Sequence, residues 1–494
     1  ESKAAISEGG NNVDVTSTDG VNTFNELHEI SAKYSNELDK KNGLNFKRAE
    51  TKTTTGTTIE GKVTAGGKRN IGSAEDVVME GGEYNGTSGS IKAAGEVDRQ
   101  ATQDYEHKES VVESREFTLT GNANAVGFSA SAEYSGLDGG SSSTTAGDYE
   151  FDYGSNTGGK GSKNPGKSAI APAAEGFIGF RSSTDTSTSD TTTNQNASFN
   201  FSNDLDIEAK TVDIGGADIT AGDELNITAD ELKTTKYVDT HDETFTHEGL
   251  SVGVTATAAS VFLDVADKNA SMIVKAVNNP DVDFDPLTTA AQVAGDVTNL
   301  MFNDWGSATV TAGVDYDKSS GTSSSTSENI THIDAGKINI KTKGDTTLNG
   351  VDMKANDVSI DAGGDVNMRA AEQTTSYTED GMNVSVGVTA SAAVDRDSAG
   401  AGVSLDASGG NNHTDNSSAS YTNTTIAADN VTIKSGNDIN LVGADVTAGT
   451  ADVKAEGDLN ITSVQDTIDN DASSWHAGAS VGIAATTDGG IIPT

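Results

Sequence analysis

The chain has 494 residues and no cysteine, and sets 32 Lys and Arg against 75 Asp and Glu for a formal charge of −43. That balance excludes a nucleic-acid or anionic-lipid surface as the main partner, because both are polyanions, and the absence of a long apolar run excludes a helical membrane span. A hydrophobic fraction of 34% is thin for conventional globular cores, yet only 5 prolines and regularly spaced Val, Ile and Leu argue against disorder.

In chain order, residues 1–120 read as degraded repeat coils with an early excursion, carried by EGKVTAGG and GSIKAAGEVDRQATQDY. The opening ESKAAISEGG shows no signal peptide and starts mid-pattern, as a piece of a longer chain would. Residues 121–200 read as a hairpin excursion with a Ser/Thr/Gly-rich tip, opened by AVGFSASA at Ala125. Coils follow over 201–237, where GADIT (Gly216–Thr220) precedes ELNITA (Glu224–Ala229). Residues 238–333 form an excursion containing SVGVTATA from Ser251. Within it, Leu263, Ala266, Ala270, Ile273 and Val277 recur at helical spacing. Asp285-Pro286 then offers a cap and a first-turn proline before Ala290, Val293, Val297 and Leu300, so two helices are expected near 258–304.

Coils return over 334–376, a hairpin excursion with SVGVTASA from Ser385 spans 377–427, and coils occupy 428–467. A further excursion starts over 468–494 with SVGIAAT at Ser480. The SVG runs alternate with period two and read as strands. SSGTSSSTSEN (Ser319–Asn329) and SGGNNHTDNSSAS (Ser408–Ser420) read as polar tips between outgoing and returning strands.

The coils repeat. Residues 336–370 lie over 429–463 at a constant offset of 93, placing Ile340 on Ile433, Asp345 on Asp438, Gly350 on Gly443, Asp365 on Asp458 and Asn367 on Asn460. Apolar clusters in 429–463 begin at Val431, Ile439, Val446, Ala451 and Leu459, the spacing of short strands joined by tight corners. Such strands cannot stand alone. Winding them so that each pairs with its equivalent one turn above satisfies the backbone. The expected fold is therefore all-β: a right-handed parallel β-helix (β-solenoid) with protruding β-hairpin excursions and a small two-helix insertion. Asn226, Asn367 and Asn460 sit between apolar neighbours, so they should face outward and form amide ladders.

GADVTAGTADVKAEGDLNITSVQDT and GVDMKANDVSIDAGGDVNMRAAEQTT, each followed by a stretch containing SVGI or SVGV, resemble the filamentous-haemagglutinin repeat family. The resemblance covers most of residues 50–494. It implies a large exoprotein of two-partner secretion, with a transporter partner for export and a secreted or cell-surface location. The alternation of repeat and SVG excursion looks most like the second repeat region of contact-dependent growth inhibition effectors. The implied role is an extended solenoid for cell-cell contact and toxin delivery across a target outer membrane. A host- or matrix-binding haemagglutinin-like adhesin is the alternative, and a carbohydrate-active β-helix enzyme the third reading. Expected partners are neighbouring bacterial or host cell surfaces, with outer-membrane contact through the hairpin excursions and no nucleic acid.

Catalytic chemistry finds little support. Asp365 and Asp458 recur in register, as corner residues do and catalytic ones do not. Asp281, Asp283 and Asp285 open like a calcium loop, but Pro286 holds the glycine position and Gln292 the bidentate one. His28, His107, His241, His247, His332, His413 and His476 are scattered. His241 and His247 share a strand face without a third ligand, so surface histidines are expected. Trp305 and Trp475 lie in excursions and are expected to pack under hairpins. No catalytic, cofactor-binding or metal-binding residue is assigned, and the chain is read as a non-enzyme.

Overall fold

A computed structural model describes residues 5–8, 13–17, 22–24, 27–42, 45–59, 62–125, 128–134, 173–256, 308–394, 399–486 and 491–493. Among these residues every regular element is a strand and no helix occurs. The helices expected near 258–304 lie outside the described residues. Sheets of 13 and 9 strands are parallel, and a third of 11 strands is antiparallel.

The parallel strands form three ladders, each a column of inward side chains. One column runs Val63, Tyr84, Phe199, Ile219, Ile333, Met353, Ile426, Val446. The second runs Ile71, Ile91, Ile207, Ile227, Ile340, Ile360, Ile433, Val453. The third runs Val77, Val97, Val212, Leu232, Thr346, Val366, Ile439, Leu459. This is a β-helix-like arrangement. Alternation of Ile, Val and Leu with polar residues sets it, because alternate side chains share a face. The isoleucines from Ile71 to Ile433 are all buried, each stabilising the fold by about 1.5–3 kcal/mol relative to exposure.

Outward positions stack as well. Asn339 Nδ2 donates to Asn226 Oδ1 at 2.8 Å, and Asn460 to Asn440 and Asn440 to Asn367 at 2.9 Å each. The expected amide ladders are present. At the next corner Asp345 Oδ1 accepts the N–H of Asp365 at 2.8 Å, and Asp438 Oδ1 that of Asp458 at 2.8 Å. The carboxylate lies over the glycine before the aspartate: a Cβ on Gly364 would sit 2.1 Å from Asp345 Oδ1. The Gly-Asp pair is thus a corner device.

Successive rungs alternate in length. Ladder partners are 116 residues apart at Lys92 and Glu208, 20 at Asp206 and Asn226, and 113 at Asn226 and Asn339. They are 73 apart at Asn367 and Asn440, then 20 at Asn440 and Asn460. The sequence offset of 93 is therefore one long step and one short one. Short rungs turn from the third ladder to the first through glycines in the left-handed region, Gly81, Gly82, Gly216, Gly350 and Gly443, with φ between 57° and 82°. In long rungs a pair of long strands leaves at this same corner. Gly350→Val places a β-branched side chain at φ 58°, with its Cβ 3.0 Å from that of Ala371. It should cost about 1–3 kcal/mol. Gly350→Asn should retain most of the stability, since Asn tolerates this conformation. Thermal melts and amide exchange over 346–371 check this, and a valine variant that melts like the parent would refute the corner assignment.

The long strands fit the rungs. Paired strands lie about 4.8 Å apart, so a hairpin occupies about 9.6 Å, the height of one short and one long rung. Adjacent hairpins therefore abut. Ala173–Gln195 pairs with Val238–Ala256, Ala308–Glu328 with Ala371–Val394, and Ala399–Thr422 with Thr467–Thr486. This corrects one expectation. The polar stretches at 319–329 and 408–420 are not tips, since all but Asn329 lie in the strands Ala308–Glu328 and Ala399–Thr422, at the roots of the hairpins. Ser and Thr hydroxyls pair across strands there, Thr326 with Thr374 at 2.6 Å and Thr375 with Ser418 at 2.7 Å.

Candidate functional site

The antiparallel sheet is the surface held away from the ladders. Its roots carry Ser, Thr, Asp and Glu, and its outer halves carry the SVG runs. Antiparallel register puts directly opposed residues on one face. Val254, Ala312, Val388, Leu405 and Val481 therefore form one row, and Val310, Ala390, Val403 and Ile483 the next. The other face carries Ser, Thr, Gly and Asp. Burial falls along the row: Val254 and Ala312 are 3% exposed, Leu405 48% and Val481 68%. Val481 lies on the outermost long strand, beside the last rung, whose inward ladder residues Leu459 and Ile461 are likewise 49% and 70% exposed.

Trp475 is 59% exposed on the outermost of these long strands. It pairs with Asn411, beyond which lies exposed Met382, and these give the ring no cover. Trp305 lies outside the described residues, as do Asp281, Asp283 and Asp285.

The histidines do not converge. His241 Nδ1 meets Thr191 Oγ1 at 2.8 Å. His247 meets Asp185 through Nδ1 and Asp317 through Nε2 at 2.8 Å, joining two neighbouring hairpins. His107 meets Asp190 at 2.6 Å, and His413 meets Asp380 at 2.7 Å. His332 lies 3.8 Å from Asp352. His476 is exposed and His28 lies on an edge strand.

Hydrogen bonds to Asp185 raise the His247 pKa above its ordinary 6.5, and the same cause acts on His107 through Asp190 and His413 through Asp380. A folded value above the unfolded one gives stability fully present below the unfolded pKa and lost as pH rises through the folded one. Amide exchange over 183–189 and 244–250, corrected for intrinsic rate, should therefore quicken as pH rises from about 6 to about 8. His247→Gln should flatten that dependence, and an unaltered profile in the variant would refute it.

Among the described residues one trio of acids comes together: ligand atoms of Glu96, Asp98 and Asp213 lie within 4.8 Å of one another. Lys233 Nζ sits 3.0 Å from Glu96 and 3.6 Å from Asp213. Asp213 also accepts the N–H groups of Gly215 and Thr235 at 3.0 Å each. Burial pushes the Asp98 carboxyl up, and the hydrogen bond to Glu96 pushes the Lys233 ammonium up. An ammonium already supplies the positive charge, so the trio reads as a structural ion-pair corner.

Sequence reasoning missed two core residues. Arg69 and Arg99 are 1% and 0% exposed. Arg69 is in phase with Ile71, and Arg99 with Val97, so alternation alone would have placed both inside. Arg69 donates to the carbonyls of Val63 and Asn85, the latter at 2.7 Å. Arg99 lies 3.9 Å over the Phe199 ring, and its guanidinium nitrogens have no hydrogen-bond partner among the described residues. Desolvation pushes Arg99 down to about 9 and Arg69 to about 10.

The hemagglutinin repeat family matches residues 178–272, 292–384 and 350–479, together more than half of the chain. The chain belongs to the hemagglutinin repeat family. Each matched stretch of this hemagglutinin repeat chain takes in long strands of the antiparallel sheet. The chain is 29% identical over 432 residues to the "Filamentous hemagglutinin" of Bordetella pertussis, covering 84% of this chain and 11% of that protein. It is 26% identical over 262 residues to "Protein adenylyltransferase and cysteine protease IbpA" of Histophilus somni, covering 52% of this chain and 6% of that one. The chain thus spans only a small part of the length of both relatives. No solved structure matches it. The resemblance read from the coil motifs is borne out.

Proposed function

We propose that this hemagglutinin repeat chain is an adhesive segment of a large bacterial exoprotein, secreted or displayed at the cell surface. It is a right-handed β-solenoid that carries its antiparallel sheet outward to meet another cell. One observation carries the reading: three ladders stack rung on rung through parallel sheets of 13 and 9 strands while every second rung sends a hairpin into one continuous antiparallel sheet. That architecture makes a stiff support with a lateral contact surface. At about 4.8 Å per rung the support is roughly 40 Å tall. Its likeness to a filamentous hemagglutinin over most of its length supports adhesion. The chain acts by binding rather than by catalysis. Export uses a dedicated transporter, as two-partner exoproteins do. The domain plan follows the alternation of coils and excursions read from the sequence.

A second reading rests on the amphipathic outer halves of the sheet: contact with a target outer membrane and passage of a toxin. No helix among the described residues is long and apolar enough to cross a membrane, which says nothing of strands. Beads coated with the chain test adhesion against erythrocytes, epithelial cells and bacteria. Attachment above that of albumin-coated beads is expected, and none to any cell type would refute adhesion. Leakage from dye-loaded vesicles would favour the second reading, and intact vesicles in several lipids would count against it.

A further inference from the structure

The apolar face of the antiparallel sheet is buried in one place and bare in another. Val252, Val254, Val310, Ala312, Val314 and Ala390 oppose one another across three strands and share this face. Burial deepens towards the hairpin end, from 7% exposed at Val252 and Val314 to 3% at Val254 and Ala312 and 2% at Val310. Ala390, on the third strand, is 3% exposed. The reverse face stays open, with Thr255 exposed and Thr309 and Thr311 half-buried. On the fourth strand Val403 and Leu405 continue the same rows at 43% and 48%. One face of a single sheet is buried only by a second layer. That layer therefore lies on three strands and ends before the fourth. Among the described residues no element supplies it: the substantial contacts of Val238–Ala256 and Ala308–Glu328 are all with strands of their own sheet.

The chain itself can supply it. Residues 257–307 join Ala256 to Ala308, the outer ends of the two most covered strands, and lie outside the described residues. Their sequence carries two apolar stripes at helical spacing, with Leu263, Ile273 and Val277 on one and Val293, Val297 and Leu300 on the other. An amphipathic stripe of this kind needs an apolar surface to face. The stretch from Leu263 to Val277 reaches roughly 20 Å as a helix. The outer two of three paired strands are only about 10 Å apart.

We infer that the partner of this face is the chain's own segment 257–307, folded back from the hairpin end over Val254, Ala312 and Ala390. A cover tethered at Ala256 and Ala308 explains why burial is deepest beside the tether and gone by the fourth strand. A second copy docked face to face, or a lipid surface, would cover Val403 and Leu405 along with the rest of their rows. At this hairpin the apolar rows are thus closed to lipid and to other proteins, and contact here is made through the segment. The inference stands apart from the adhesin reading.

The chain has no cysteine, so a single introduced thiol reports its own position. Ala312→Cys and Leu405→Cys are each made in the 494-residue chain and labelled with a water-soluble maleimide. The Ala312→Cys thiol should react at least tenfold more slowly than the Leu405→Cys thiol. Replacing 257–307 with a Gly-Asn-Gly turn should make the two rates alike. Ile273→Asp combined with Leu300→Asp, which keeps the segment's length, should do the same with the β circular-dichroism signal intact. Equal rates in the parent chain overturn the proposal. So does protection of Ala312→Cys that survives both changes, and sedimentation as a dimer would then assign the cover to a second copy. Should the replacement unfold the sheet, the double aspartate variant decides: protection kept there overturns the proposal, and protection lost with the sheet intact upholds it.

Discussion

Phe199→Ala should lower the unfolding free energy by about 3–5 kcal/mol, the range for emptying a large aromatic site in a packed core. Phe199 is fully buried, stacked on Tyr84 with ring centroids 4.8 Å apart and planes 6° from parallel. It also supplies the ring under Arg99. A desolvated cation–π contact is worth about 2 kcal/mol, so the upper end of the range is expected. The loss should be local, because each rung is stabilised by its nearest neighbours. Amide protection should fall over 77–100 and 197–221 and stay unchanged over 424–442. A uniform loss along the ladders would refute nearest-neighbour coupling, and a loss under about 1 kcal/mol would refute the packing.

Arg99→Met should raise stability by about 1–4 kcal/mol. Replacing buried charge with an apolar side chain of similar volume is commonly neutral or stabilising. Arg99 is an extreme case, since its guanidinium nitrogens find no acceptor among the described residues. Its pKa, pushed down to about 9, still leaves it charged at neutral pH. In the third ladder Arg99 pairs with Met79, and the same strand position in later rungs is held by Leu348, Met368 and Leu441. A methionine thus suits the column. Urea titration at neutral pH checks the sign. A clear destabilisation would mean that Arg99 has partners that offset its burial.

Much of the ladder region was legible because its signals are local. Ile338 and Ile340 alternate with Asn339 and Lys341, and that period survives any tertiary context. Asn460 and Asp458 were readable as outward and corner residues from their immediate neighbours. The alternation of short and long rungs was not readable, because an offset of 93 does not divide itself into steps. The Ser/Thr-rich roots were misread since their composition matches that of a linker. What makes Ser319–Ser327 a strand is pairing with residues far away in sequence, such as Gly381 and Gln373. The same distance hid the histidine contacts: His247 and Asp185 are 62 residues apart, and His107 and Asp190 are 83. The buried arginines escaped for another reason. Their phase with Ile71 and Val97 is visible in the sequence, but an arginine inside a column of apolar residues runs against the general tendency of charged side chains to stay at the surface.

The equal heights of a hairpin and a pair of rungs limit how such a molecule can change length. Deleting a single 20-residue step would leave two hairpins, four strands, only three rungs of height, and inserting one would leave a gap in the antiparallel sheet. Duplication or recombination that keeps the sheet whole must therefore move a complete module, both rungs with their hairpin. The hairpin's own length stays free to drift, as the unequal steps of 73, 113 and 116 residues record.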